Sequence, residues 1–342
     1  MILIFLILIS ILILIHEFGH FLMARIFKVR VEEFGIGFPP RIFKIKKGET
    51  LYSLNLIPFG GFVRLYGEDE KKFASDSFSD QAPLKRLAII LAGIIFNIIL
   101  AYLIFIIILP LGFYKPIFDE RPGQIMIVEV AANSPAFLIG LQKGDIILNF
   151  DQIKNFQDFV SQNKGKEITL NIKRENKILT LKTIPRIQFP QSEGPLGIGI
   201  LKVELTKVNF PRNLIYGLYL TFDTLNKMIE KLKDIFKNIL TEGKMPQDVV
   251  GPVGLFYILN QLKVFGLNYI LFVFALISLN LALINVIPFP ALDGGRAIFV
   301  AFELLTGKAP NKKFEAILHL TGFIILILLG ILITFKDIKM IF

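Results

Sequence analysis

Along the chain, stretches nearly empty of polar residues alternate with one long stretch where they are common. Four apolar runs reach the roughly 20 residues that a helix needs to cross a bilayer core. They are Met1 to about Phe27, about Leu87 to Leu111, about Tyr269 to Ile287, and about Ile317 to Phe335. The first reads as a retained span rather than a secretory leader, because it has no basic start and no small-residue cleavage site, and His and Glu interrupt it. Between the second and third runs, over about 112–267, the pattern changes. Short β-type runs such as IMIVEV, DIILNF and EITLNIKR are punctuated by Gly, Asn and Pro, which predicts a small β-rich soluble domain. Farther on, Leu218, Phe222, Leu225, Ile229, Leu232, Phe236 and Ile239 recur at spacings of four and three. They predict an amphipathic helix that packs on that domain or lies on the membrane surface. Between the first two runs, RIFKIKKGETLYSLNLIPFGGFVRLY (41–66) reads as a β-hairpin: a strand, a Lys-Gly-Glu turn, a second strand and a Gly60-Gly61 break.

Composition narrows the class. Of 342 residues, 54% are hydrophobic, which suits an integral membrane protein. There is no Cys, so disulfides, iron–sulfur clusters and thiolate nucleophiles are excluded, and a bound metal must be held by His, Asp or Glu. The net charge of +10 is spread along the chain rather than gathered on one aromatic-interleaved face, so no nucleic-acid partner is expected. Orientation follows from Lys and Arg in the short loops. The segment Arg25–Arg86 and the loop after the third span, with Arg296, Lys308, Lys312 and Lys313, belong on the cytoplasmic side. Both termini and the long insert then lie outside. Within the insert, NSPAFLIGLQKGDIILNFDQIKNFQDF resembles a PDZ domain, which implies capture of an extended peptide on a sheet edge.

The chemistry sits in the first span, LILIHEFGHFLMAR. His16 and His20 are four apart, about 400° round a helix and about 6 Å along it, so both imidazoles share one face. Two His at this spacing can grip one zinc, while Glu17, about 100° round from His16, can reach the attacking water as general base. A catalytic zinc needs a third protein ligand. The remaining histidine, His319, is expected to be an interfacial or packing residue, so a carboxylate at membrane depth is required. Asp293 fits, at the end of the third span in NVIPFPALDGGRAIF, where Pro and Gly break the helix. A helix cap or a salt bridge to Arg296 is the competing account of Asp293.

These motifs, with FGIGFPPRIFK, PFGGFVRLYGE, VVGPVGL at 249–255 and SLNLALINVIPFPALDGGR, resemble the site-2 protease family of intramembrane zinc metalloproteases, of the bacterial regulator-of-sigma-E type. The resemblance runs over essentially the whole chain. It implies Zn2+ as cofactor, His16, His20 and Asp293 as ligands and Glu17 as base. It implies substrate-binding positions at Asn285, Gly60, Gly61 and Asn97, with helix packing through Ala92 and Gly93 as the other account of Asn97. It also implies that the hairpin dips into the membrane beside the site, and that the substrate is a single-pass membrane protein already shortened outside, such as an anti-sigma factor or a remnant signal peptide.

The expected fold is a polytopic α-helical membrane protein with four transmembrane helices, a membrane-associated β-hairpin (30–66) and an inserted extracytoplasmic PDZ-like β-rich domain. The expected divisions are 1–111, 112–212, 213–267 as an amphipathic linker in contact with membrane lipid, and 268–342. The expected location is the bacterial cytoplasmic membrane, with the active site toward the cytoplasmic side. Two other classes stay open: a membrane-anchored PDZ binding module or chaperone with a non-catalytic metal site, and a zinc transporter, since intramembrane His and Asp also line ion paths.

Overall fold

The computed structural model describes residues 2–68, 74–117, 121–175, 177–190, 193–243, 250–262 and 265–341. Parts of the expected linker (244–249 and 263–264), Val249 of VVGPVGL among them, lie outside the described residues. In chain order the elements begin with α1 (Ile2–Ile26), β1 (Val31–Lys47), β2 (Thr50–Leu65), α2 (Pro83–Leu111), β3 (Phe113–Pro116), β4 (Gln124–Val130), α3 (Pro135–Leu138) and β5 (Ile146–Ile147). They continue with α4 (Ile153–Gln162), β6 (Ile168–Arg174), β7 (Lys177–Thr183), β8 (Ile198–Thr206), α5 (Arg212–Glu242), α6 (Pro252–Leu262), α7 (Leu267–Val286), α8 (Asp293–Thr306) and α9 (Lys312–Ile341). Among the described residues, four helices are long and apolar enough to cross a membrane: Ile2–Ile26, Pro83–Leu111, Leu267–Val286 and Lys313–Lys339. They coincide with the four runs of the sequence.

The chain divides into two units. One comprises Met1–Ile107, Asn213–Gln261 and Leu271–Phe342. Its membrane-length helices are apolar on every side, so burial from water cannot drive their association in lipid, and close backbone approach must. The sequence provides it where α1 meets α2: a Cβ on Gly19 would stand 2.6 Å from the Ala92 carbonyl oxygen. The same small-residue logic folds α8 beneath the end of α7. Gly294 lies against the carbonyl oxygens of Val286 and Ile287, Gly295 against that of Phe289, and Gly322 of α9 against that of Pro290, leaving no room for a side chain at any of the three. Arg86 of α2 pairs with Glu303 of α8 at 2.6 Å. Asp337 of α9, almost wholly buried, accepts from the N–H groups of Gly251 (3.2 Å) and Gly254 (2.8 Å), and so satisfies the otherwise orphaned donors at the start of α6.

The hairpin is more folded than its sequence suggests. β1 starts at Val31, and its residues 33–36 are paired on two sides: Phe34 lies opposite both Tyr52 and Val63, and Ile36 opposite both Leu54 and Gly61. The distal part, Arg41–Lys47 against Thr50–Asn55, turns at Gly48 (φ +63) as the Lys-Gly-Glu signal predicts. Gly60 and Gly61 lie inside β2 rather than ending it. Many of the hairpin's large apolar side chains are exposed, including Phe38, Ile42, Phe43, Ile45, Leu54 and Leu56. In α5 the early residues Asn213, Leu220 and Thr221 are buried, and Gly217 lies against Tyr102 and Ile106 of α2. The apolar stripe read from the sequence instead stays exposed at Leu218, Phe222, Phe236 and Ile239.

The second unit comprises Ile108–Arg212 and Leu262–Ile270. It is a six-stranded sheet in the order β3-β8-β4-β5-β6-β7 with α3 and α4. Ile125, Ile127, Ile147, Phe156, Leu170, Ile172 and Leu196 form its core. The Ser-Pro-Ala signal starts α3 as predicted: Ser134 Oγ accepts from the Phe137 N–H at 3.1 Å, with Pro135 in the first turn. Asp145, fully buried, is held by Arg174, whose Nε and Nη2 both donate at 2.7 Å.

Candidate metal centre

Three features of the chain bring His16, His20 and Asp293 together. The i, i+4 spacing on α1 puts the two imidazoles edge to face, with their Nε2 atoms 3.2 Å apart. The glycine pair after Asp293 lets α8 begin directly under α7, with Asp293 as its first residue, where a carboxylate also complements the helix dipole. Between the two, the loop Phe289–Leu292 turns through Ala291 in the left-handed region (φ +78). That strained residue donates its N–H to His319 Nδ1 of α9 at 2.9 Å. His319 is therefore not one of the converging groups; it fastens the loop that delivers Asp293.

Asp293 Oδ2 lies 2.9 Å from His16 Nε2 and 3.4 Å from His20 Nε2. It nevertheless completes no hydrogen bond in this geometry, a costly state for a buried carboxylate oxygen. The three separations of 2.9, 3.2 and 3.4 Å bracket the edge of a coordination tetrahedron. Donors at about 2.0–2.1 Å from one zinc would stand about 3.3–3.4 Å apart. Two nitrogens and one carboxylate oxygen also match the open three-ligand sets of catalytic zinc. These residues can hold a zinc ion and leave a coordination position for the reaction.

The back of the site is one face of α2. The ring nitrogens turned away from the cluster are both engaged: His20 Nδ1 with the Ile89 carbonyl at 2.9 Å, and His16 Nδ1 with the Asn97 amide at 3.1 Å. Between them, a Cβ on Gly93 would stand 2.5 Å from His20 Nε2 and 2.8 Å from His16 Nε2. Positions 89, 93 and 97, successive turns of α2, thus form the wall behind the imidazoles. Ser278 of α7 donates to the backbone carbonyl of Asn97 at 2.8 Å.

Glu17, one residue on from His16, is half-buried on the adjacent face of α1. Its Oε2 accepts from the Val63 N–H of β2 at 3.1 Å. The contact depends on Gly60 and Gly61, which press β2 onto α1. A Cβ on Gly61 would come within 2.9 Å of Leu14 Cδ2 and of the Gly35 carbonyl oxygen, and one on Gly60 within 3.3 Å of Ile13.

Of the positions expected to meet substrate, Asn97 is completely buried behind His16, and Gly60 and Gly61 are buried against α1. Asn285 is half-buried in the last turn of α7. Arg296, the competing partner for Asp293, pairs with Glu68. The sequence reading did not anticipate the Val63 N–H or the His319 anchor. The adjacent glycines were the available sign of the first, since such pairs mark close backbone approach.

Known proteins resemble this chain over nearly its whole length. The profile of Peptidase family M50 matches residues 4–329. A Clostridium perfringens protein whose name assigns it to the zinc metalloproteases is 35% identical, over 96% of this chain and 96% of its own length. The zinc metalloprotease RasP of Oceanobacillus iheyensis is 28% identical, and the regulator of sigma-W protease RasP of Bacillus subtilis 27%, each over 99% of this chain and 98% of its own length. A family match over nearly the whole chain, four membrane-length helices and a His-His-Asp cluster lead to one conclusion: this chain belongs to peptidase family M50 and is an intramembrane zinc metalloprotease.

Proposed function

We propose that His16, His20 and Asp293 hold the zinc, that Glu17 is the general base, and that the enzyme cuts peptide bonds in or near the transmembrane segment of single-pass membrane proteins. The observation that carries this reading is the convergence of the three donor atoms within 3.4 Å, with the Asp293 oxygen bonded to neither imidazole. Zinc held there supplies a Lewis acid for the scissile carbonyl and lowers the pKa of water toward about 7.

The chain's own groups do the rest. Glu17 takes the proton of the attacking water and returns it to the leaving amine. The Val63 N–H fixes one of its carboxylate oxygens and leaves the other for the proton. A helical substrate hides its carbonyls in internal hydrogen bonds, so it must be drawn out straight before attack. Residues 61–65 of β2 suit that task. They pair with β1 on one side only among the described residues, and their other edge carries the Val63 N–H that reaches Glu17. An extended segment added along that edge would exchange helical hydrogen bonds for strand hydrogen bonds next to the base. Asn285, one helix turn from the break before Asp293, is the remaining candidate for contact with the substrate backbone.

In this reading the cytoplasmic side carries the basic segment 25–86, which supports a site opening toward the cytoplasm and a six-stranded unit outside it. That unit would act as a PDZ-like peptide reader. Among the described residues, its strand β8 is covered by β3 only over Val203–Thr206, leaving the edge at Ile198–Leu201 for an added strand. The exposed stripe of α5 suits contact with membrane lipid.

The test uses the full chain purified in detergent with a tagged single-span substrate. Zinc-dependent cleavage that Glu17→Gln abolishes while zinc stays bound is the expected result. Bound zinc without cleavage of any single-span substrate would favour a binding or transport role and overturn the proposal.

A further inference from the structure

We propose that Asn97 is a positioning residue for the metal centre: its side-chain amide fixes the tautomer and ring orientation of His16. The proposal rests on the reading of His16 as a zinc ligand. Asn97 has no exposed surface, and its amide Nδ2 stands 3.1 Å from His16 Nδ1. A polar side chain sealed among apolar helices is expensive unless it is satisfied, so a packing role alone would be better filled by Leu or Ala. The neighbouring residues on the same face separate the two accounts. Gly93 serves close approach, whereas Asn97 presents a hydrogen-bonding group to the one ring nitrogen of His16 that faces away from the cluster.

The chemistry explains why an amide stands there. An imidazole that gives Nε2 to a cation carries its proton on Nδ1 and needs an acceptor at that nitrogen. For His20 the acceptor is the main-chain carbonyl of Ile89, which can only accept and therefore admits only that tautomer. For His16 the partner is an amide, which offers a donor and an acceptor of nearly equal size. With Nδ2 toward the ring, Asn97 Oδ1 is left without a hydrogen-bond partner inside the bundle. Turning the amide over costs no space and places Oδ1 on the Nδ1–H of His16, which gives that oxygen the partner it lacks. His16 thereby has the same support as His20, given by a side chain rather than by the main chain. The Ser278 hydroxyl, by donating to the Asn97 backbone carbonyl, ties this turn of α2 to α7 without touching the imidazole.

The experiment compares full-length wild type with Asn97→Leu, Asn97→Asp and Ser278→Ala in detergent. It reads zinc affinity by chelator competition, the visible absorption band of the cobalt-substituted protein, and thermal unfolding. Loss of a group that orients a metal-bound histidine typically costs 10–100-fold in metal affinity, so Asn97→Leu should weaken zinc by about that factor and shift the cobalt band. Asn97→Asp keeps an acceptor for Nδ1–H and should return both readouts close to wild type. Ser278→Ala should leave both unchanged. If Asn97→Leu does not accumulate, Asn97→Ala is judged by the same criteria. Wild-type zinc affinity in the Leu or Ala variant overturns the proposal. So does equal loss in the Asp and Leu variants, which would mark a packing role. A wild-type chain that binds no zinc would overturn the ligand reading as well, which separates the two failures.

Discussion

Asp293 and Glu33 are two enclosed carboxylates of the same unit, and their surroundings are opposites. Glu33, in β1, is nearly inaccessible and fully occupied: Arg41 donates to both its oxygens, at 3.0 and 2.6 Å, and Ser53 Oγ donates at 2.7 Å. Asp293 has two imidazoles within 3.4 Å, yet its Oδ2 bonds to neither. A satisfied buried charge closes a structure, whereas an unsatisfied one with other donors aimed at the same point is poised for something to be held there. On the proposed reading, one carboxylate serves the fold and the other the chemistry.

The strongest way to break the comparison is to remove Asp293. Asp293→Ala should abolish zinc binding and lower cleavage at least about a thousandfold, since the several kcal/mol that a metal contributes are lost together. Zinc analysis and a cleavage assay check both. Glu17→Gln comes next. It should keep the metal while cleavage falls by about 10²–10⁴, the range for a general base. A smaller effect is expected at Gly61→Val. Its Cβ would push on Leu14 and the Gly35 carbonyl, lifting β2 from α1 and loosening the Val63 N–H on Glu17. Zinc should stay bound and cleavage drop about tenfold, in line with about 1.5 kcal/mol for a hydrogen bond to a charged group. Gly61→Ala should give an intermediate value.

The smallest effect falls on the other carboxylate. Glu33→Gln should leave zinc binding unchanged and lower stability by about 1–3 kcal/mol through its hydrogen bonds, measured by thermal or denaturant unfolding. The pH dependence has a definite sign. Burial opposes the charge of Glu33, but the hydrogen bonds from Arg41 and Ser53 outweigh it and hold the carboxyl below the usual glutamate range. A depressed folded value means that the contribution is fully present above the free glutamate value of about 4.3 and is lost as pH falls through the lower folded value. Wild type should therefore lose stability on acidification below about pH 4.3 more steeply than Glu33→Gln.

How much of this was readable beforehand depends on whether a feature leaves a local mark. The four spans did, because an apolar run of membrane length has few alternatives. The His16-Glu17-His20 constellation did too, because helix geometry turns a four-residue spacing into a shared face. The start of α3 was announced by Ser134 and Pro135. The double pairing of residues 33–36 left no such mark, because β register in a bulged, recrossing hairpin is set by long-range packing against α1. Main-chain contacts such as Val63 to Glu17 and Ala291 to His319 leave no side-chain signature at the donating residue. Asn97 was marked by the family resemblance, but its direction was not. Only the crossing of α1 and α2 through Gly19, Ala92 and Gly93 turns it toward His16.

The central claim is that one zinc is held by two imidazoles and one carboxylate from separate helices, and X-ray absorption at the zinc edge of the purified full chain tests it most directly. The account predicts a first shell of nitrogen and oxygen at about 2.0–2.1 Å with outer scattering from two histidine rings, and loss of the bound zinc in Asp293→Ala. A shell containing a third imidazole, or undiminished zinc in Asp293→Ala, would contradict it.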